Sequence, residues 1–116
     1  MMKALLNSFV YAFNGLVYAF KTQLNFKIHC VAALLIVALG WWVGLSNTEW
    51  PLIVIAIGLV IVAELFNTGI EVLVDLVSPQ QHPKAGAVKD IAAAAVLISA
   101  IIALAIALFI FVPKFV

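Results

Sequence analysis

The sequence predicts an all-α membrane protein: one amphipathic helix lying on a membrane surface, then three helices that cross the bilayer. Composition is the first reason. Of 116 residues, 67% are hydrophobic and only 9% are charged, and the mean hydropathy is +1.28. A soluble domain is about half apolar and about a quarter charged, and a chain this short has too little interior to hide the excess. The second reason is three long apolar runs, at residues 28–45, 51–77 and 91–112, set against the roughly 20 residues a helix needs to cross the hydrocarbon core. The third is where the charges fall, because they cluster at the ends of those runs.

Residues 3–24 form the first element. Asn7, Asn14 and Lys21 recur every seven residues and share one helical face, while Phe9, Phe13, Val17 and Phe20 supply an apolar one. Such a helix lies in the membrane interface or packs on the bundle. The first span, residues 28–45, ends near Trp41 and Trp42. The second begins at Pro51, a residue suited to a first helical turn, with Thr48 as the expected N-cap. It stays uncharged to Ala63, and its apolar pattern then continues through Val77. The third span, residues 91–112, contains a run of alanines from 92 to 95, small enough for close helix approach in lipid. The whole chain, residues 1–116, reads as a single domain.

Charge sets the expected topology. Lys3, Lys21, Lys27, Lys84 and Lys89 fall on one side of the bundle, which the positive-inside rule makes cytoplasmic. The loop of Ser46, Asn47, Thr48 and Glu49 carries no lysine and belongs outside, flanked by the interfacial tryptophans 41, 42 and 50. Lys114 is then an isolated outside cation. The protein is expected to be a multi-pass protein of the cell inner or plasma membrane. The net charge of +1 and the absence of a basic stripe exclude nucleic acid as a partner. The one cysteine, Cys30, excludes an internal disulfide, and no cleavable leader is expected from the N-terminal segment.

Four of the few polar side chains stand on the second span, at Glu64, Asn67, Glu71 and Asp75. Offsets of 3, 7 and 11 residues put them within about 80° of arc. From Pro51 to Glu64 a helix rises about 20 Å at about 1.5 Å per residue, so Glu64 lies in or at the edge of the inner leaflet, and Glu71 and Asp75 project into the interface. An ionisable group at that depth must face protein or water and is a functional candidate. Three carboxylates and an amide offer the oxygen ligands that magnesium and its phosphates require, and Glu64 is placed to act as a general base on a lipid alcohol. Gln23 and Asn25 at the end of the surface helix, His82 in the loop of residues 78–86, and Lys89 and Asp90 at the start of the third span lie at the same level. Lys89 can neutralise phosphate charge.

These residues resemble a known family. The run Glu64, Leu65, Phe66, Asn67, Thr68, Gly69, Ile70, Glu71 through Asp75 is similar to the signature of the small prokaryotic diacylglycerol kinases, which include the undecaprenol kinases. His82 with Pro83, Lys89 through Ala93, Tyr11 through Gly15, and Asn25 through His29 match it too, so the resemblance covers nearly the whole chain. It implies a homotrimer of surface helix plus three spans, with composite active sites between protomers at the cytoplasmic face. It implies an ATP- and magnesium-dependent lipid kinase acting on diacylglycerol or undecaprenol. By position, Glu64 resembles the catalytic base, Glu71 and Gln23 the metal ligands, and Asn67 and Asp75 further active-site residues. Tyr11, Gln80, Gln81, His82, Lys89 and Asp90 resemble nucleotide contacts. No glycine-rich phosphate loop is present, in keeping with this family. The sequence departs from the family at Gln23, where a metal-holding glutamate is usual, and at Ala4, where an arginine is usual. An oligomeric ion or proton channel is the rival class, opposed by the third span, whose one polar residue is Ser99. A scaffold weakened at Gln23 is another.

Overall fold

The computed structural model describes all 116 residues. They form four helices: α1 (Met2–Thr22), α2 (Leu24–Val43), α3 (Glu49–Val77) and α4 (Pro83–Phe115). The last three are long and apolar enough to cross a membrane. At about 1.5 Å per residue α4 is about 50 Å long and α3 about 43 Å. Both exceed the hydrocarbon thickness of about 30 Å, so each carries turns beyond it, and those turns hold the polar residues.

α3 is the centre. Its buried stripe, Ile53, Ala56, Val60, Glu64 and Thr68, recurs at three- and four-residue spacing, which keeps one face turned to its neighbours. The most extensive interhelical contact is between α3 and α4, followed by α2 with α3. Lipid removes the hydrophobic incentive for helices to associate, so packing quality decides. Ile53, Leu45, Ile110 and Phe111 form the buried apolar cluster, and Ala56 and Ala92 let backbones close in elsewhere. α1 touches the bundle through its C-terminal half, where Ala19 is buried, while Phe9 and Phe13 remain exposed. An unpartnered apolar face on a helix with polar Asn7, Asn14 and Lys21 is the pattern of an interfacial helix.

Several boundaries differ from the sequence expectation. α2 starts at Leu24, because Gln23, in extended conformation, is the only non-helical residue between α1 and α2. Asn25 therefore opens α2 instead of closing the surface helix. α4 starts at Pro83, not at residue 91: His82 takes the extended N-cap conformation, its Nδ1 accepts from the Lys84 N–H at 3.1 Å, and Pro83 fills the first turn. Lys89 and Asp90 consequently lie in the second turn. α3 begins at Glu49, and Thr48 makes no side-chain cap bond. Ser46 caps in its place. Its Oγ accepts from Glu49 N–H at 3.2 Å and its own N–H donates to Glu49 Oε1 at 2.9 Å, a reciprocal capping box.

The turn between α2 and α3 is closed tightly. Gly44 is left-handed (φ 75°), and Leu45 N–H reaches back to Gly40 O at 3.1 Å, the bond of a Schellman ending. A Cβ on Gly40 would stand 2.8 Å from Leu45 Cδ1 and 2.9 Å from Trp50 Cη2, so any larger residue there must displace those side chains. Trp41 packs on Trp50 with centroids 5.7 Å apart, and Trp42 stacks on Phe115 at 6.2 Å. Lys114 is not isolated: its Nζ lies 3.1 Å from Glu49 Oε1, so the one lysine at this end is neutralised by the one acid there.

Candidate active site

The opposite end of the bundle carries the remaining polar residues. Glu64 is 2% exposed, set in the apolar stripe of α3. A carboxylate so placed must find a partner, and it does: His29 Nε2, on the second turn of α2, lies 3.3 Å from Glu64 Oε1. One turn further along α3, Thr68 Oγ1 donates to the Glu64 main-chain carbonyl at 2.9 Å, which satisfies a buried hydroxyl within its own helix. Asn67 and Glu71 stand four residues apart on the adjoining flank, and Asn67 Nδ2 donates to Glu71 Oε1 at 3.3 Å. That bond orients the amide, so Asn67 Oδ1 is fixed on the other side. It is buried and has no hydrogen-bond partner. A buried acceptor without a donor is costly and marks a place where a donor or cation is expected.

Three turns beyond Glu64 the face opens. Asp75 Oδ1 pairs with Lys89 Nζ of α4 at 2.6 Å, joining the emerging ends of α3 and α4. This pair is solvent-exposed and adds little stability; it fixes where the ammonium stands. Together with the loop it walls a groove of about 610 Å³, lined also by Ser78, Gln80, Gln81 and His82. Because His82 spends Nδ1 on the α4 cap, its Nε2 is the nitrogen left for a ligand.

The structure thus brings the sequence candidates together in two groups. Glu64, Asn67 and Glu71 follow one another down α3. Asp75, Gln80, Gln81, His82 and Lys89 share the loop groove. Three candidates stand apart from these within one chain. Tyr11 is 69% exposed on the outer flank of α1. Gln23 occupies the joint between α1 and α2 and is half-buried. Asp90 is exposed and does not line the groove that Lys89 lines. No three acidic, histidine or cysteine side chains converge as a metal cage in one chain. His29 was not marked as a candidate by its own chemistry, since its partner is 35 positions away on another helix.

Three helices long and apolar enough to cross a membrane thus carry a buried carboxylate next to an oxygen-rich face and a lysine-bearing groove, an arrangement compatible with an integral-membrane lipid kinase. The comparison with known proteins agrees. Residues 10–111 match the profile of the prokaryotic diacylglycerol kinase family, and the chain belongs to that family. It is 44% identical over 107 residues to the undecaprenol kinase of Bacillus subtilis, covering 92% of this chain and 87% of that protein. It is 40% identical to a diacylglycerol kinase of Synechocystis over 85% of this chain and 57% of that one. To the diacylglycerol kinase of Escherichia coli K12 it is 33% identical, over 80% and 76% respectively.

Proposed function

We propose that the protein transfers the γ-phosphoryl group of ATP to the hydroxyl of undecaprenol, with Glu64 as general base. The observation that carries this is the buried Glu64 carboxylate one turn from the paired Asn67 and Glu71. Undecaprenol is favoured over diacylglycerol by the 44% identity to an undecaprenol kinase, against 33% to the Escherichia coli diacylglycerol kinase. Diacylglycerol is the second reading, supported by the 40% identity to the Synechocystis enzyme.

The chemistry is phosphoryl transfer, which depends on positioning and electrostatics more than on covalent participation. Glu64 takes the hydroxyl proton as the alcohol oxygen bonds to the γ-phosphorus. The bond from that phosphorus to the bridging oxygen breaks, and ADP leaves. Lys89, already held by Asp75 at the groove wall, balances phosphate charge. Gln80, Gln81 and the free Nε2 of His82 offer the nucleotide neutral donors and acceptors; Tyr11 and Asp90 are assigned to the nucleotide as well, from their positions in the family pattern. The donor set suits magnesium: Glu71 supplies a carboxylate and Asn67 an unpartnered buried amide oxygen, both hard ligands of the kind this ion takes. Glu71 and Asn67 would hold it, with Gln23 contributing a neutral carbonyl oxygen in place of a charged one. When bound, the ion supplies positive charge against the phosphates.

Tyr11, Gln23 and Asp90 stand away from the groups they would serve within one chain. This supports an assembly, a homotrimer by family resemblance, in which neighbouring copies complete each site. The lysine-rich end is assigned to the cytoplasm, where ATP is. Lys3, Lys21, Lys27, Lys84 and Lys89 lie toward it, and the one lysine at the far end is paired with Glu49.

The test offers undecaprenol and diacylglycerol separately in mixed micelles with magnesium and γ-labelled ATP. Lipid-extractable label with a higher kcat/KM for undecaprenol is expected. Label in diacylglycerol alone overturns the substrate assignment. Label in neither, from folded protein, overturns the kinase reading in favour of a scaffold.

A further inference from the structure

We propose that His29 is a positioning residue for Glu64, holding one carboxylate oxygen so that the other is presented to the lipid hydroxyl. The inference rests on Glu64 being the proton acceptor. The Glu64 side chain is 3% exposed and the His29 side chain 27%. The imidazole is the one side chain within hydrogen-bond distance of that carboxylate, because Thr68 bonds the main chain and not the side chain. A glutamate has three rotatable bonds, and a base that wanders by about 1 Å can lose about 100-fold in rate. Anchoring Oε1 through a second helix removes that freedom.

The geometry also suits both ends of the reaction. Nε2 stands 3.3 Å from Oε1 without hydrogen-bond alignment in this structure, and a small rotation of the ring would let its N–H donate to Oε1 while Glu64 is a carboxylate. Once Oε2 has received the hydroxyl proton, Oε1 is the carbonyl oxygen of a carboxylic acid and still accepts the same bond. His29 therefore need not gain or lose a proton for Glu64 to do so. At 3.3 Å the contact is longer than the usual N–H to oxygen distance, as catalytic hydrogen bonds often are before substrate binds. The imidazole is also the polar end of an apolar groove of about 310 Å³ between α2, α3 and α4, lined by Ala33, Ile53, Val60, Ala100 and Leu104.

The experiment measures kcat and KM for ATP and lipid in His29→Gln, His29→Asn and His29→Leu, each also combined with Glu64→Gln. Glutamine places its amide nitrogen near the position of Nε2, whereas asparagine is polar but too short to reach. His29→Leu and His29→Asn should lose about 100-fold in kcat with KM for ATP held within about twofold, and His29→Gln should recover to within about tenfold of wild type. In the Glu64→Gln background none of them should lower the rate further. Equal activity of the Asn and Gln variants, or wild-type kcat in His29→Leu, overturns the inference. A Glu64→Gln single variant that keeps its kcat removes the underlying reading of Glu64 instead, so the two failures are distinguishable.

Discussion

The two ends of the bundle are built on opposite plans. At the tryptophan end the charged and capping groups are spent within the chain. Ser46 and Glu49 cap each other, Glu49 also takes Lys114, Gly40 admits Leu45 and Trp50, and aromatic pairs tie α2 to α3 and α4. At the lysine end polar groups are left over. Asn67 Oδ1 is buried without a partner, one Glu71 oxygen and the His82 Nε2 are free of intrachain bonds, and the loop stands open as a groove. The difference teaches that the chain closes its own polar contacts at one end and leaves a buried acceptor and an open groove at the other, where the proposed chemistry is assigned.

This separation can be broken by substitution. Among the groups around Glu64 the largest effect is expected at Glu71. Glu71→Gln removes the charge on the oxygen face and should lower kcat/KM by about 100-fold, with a raised magnesium requirement, as loss of a ligand or its support does elsewhere. A magnesium titration of activity checks it, and an unchanged requirement would take Glu71 out of the metal site. Lys89→Ala should come next, raising KM for ATP by about tenfold, the worth of one modest charge interaction; steady-state kinetics against ATP decides. Both variants should unfold at the wild-type temperature.

The other end should respond in the opposite sense. Gly40→Val forces a branched side chain onto Leu45 and Trp50 and should cost about 1–3 kcal/mol, as overpacking does, lowering the unfolding midpoint in detergent while kcat per folded molecule stays level. Ser46→Ala should be the mildest, at about 1 kcal/mol for a lost cap. Its own sharpening control is Thr48→Ala, which loses only the exposed 3.0 Å contact with the Ser46 hydroxyl and keeps the cap, so the midpoint should fall by less than in Ser46→Ala. If Ser46→Ala lowered kcat more than stability, the separation of the two ends would be wrong.

Much of this is legible in the sequence, and the reasons are local. Hydropathy marks α2, α3 and α4 because lipid demands about 20 apolar residues from each. The spacing of Glu64, Asn67, Glu71 and Asp75 marks the polar face because a helix repeats regularly. Helix starts are less visible to hydropathy. It reads residues 78–86 as a polar loop, although Pro83 after a capping His82 is a start signal. Ser46 three places before Glu49 likewise spells the capping box that Thr48 does not form. What local pattern cannot carry is contact between helices. Lys114 with Glu49, Lys89 with Asp75, and above all His29 with Glu64 depend on how α2, α3 and α4 are stacked. The places of Tyr11, Gln23 and Asp90 in the site depend further on the proposed assembly.

The central claim is that Glu64 accepts the lipid proton. The most direct test is single-turnover transfer of labelled phosphate to undecaprenol by Glu64→Gln, in protein whose unfolding midpoint and oligomeric size match wild type. The account predicts a transfer rate at least about 100-fold lower, as loss of a general base requires, with ATP still bound. Transfer within about threefold of wild type would contradict it and would leave the buried carboxylate a structural partner of His29.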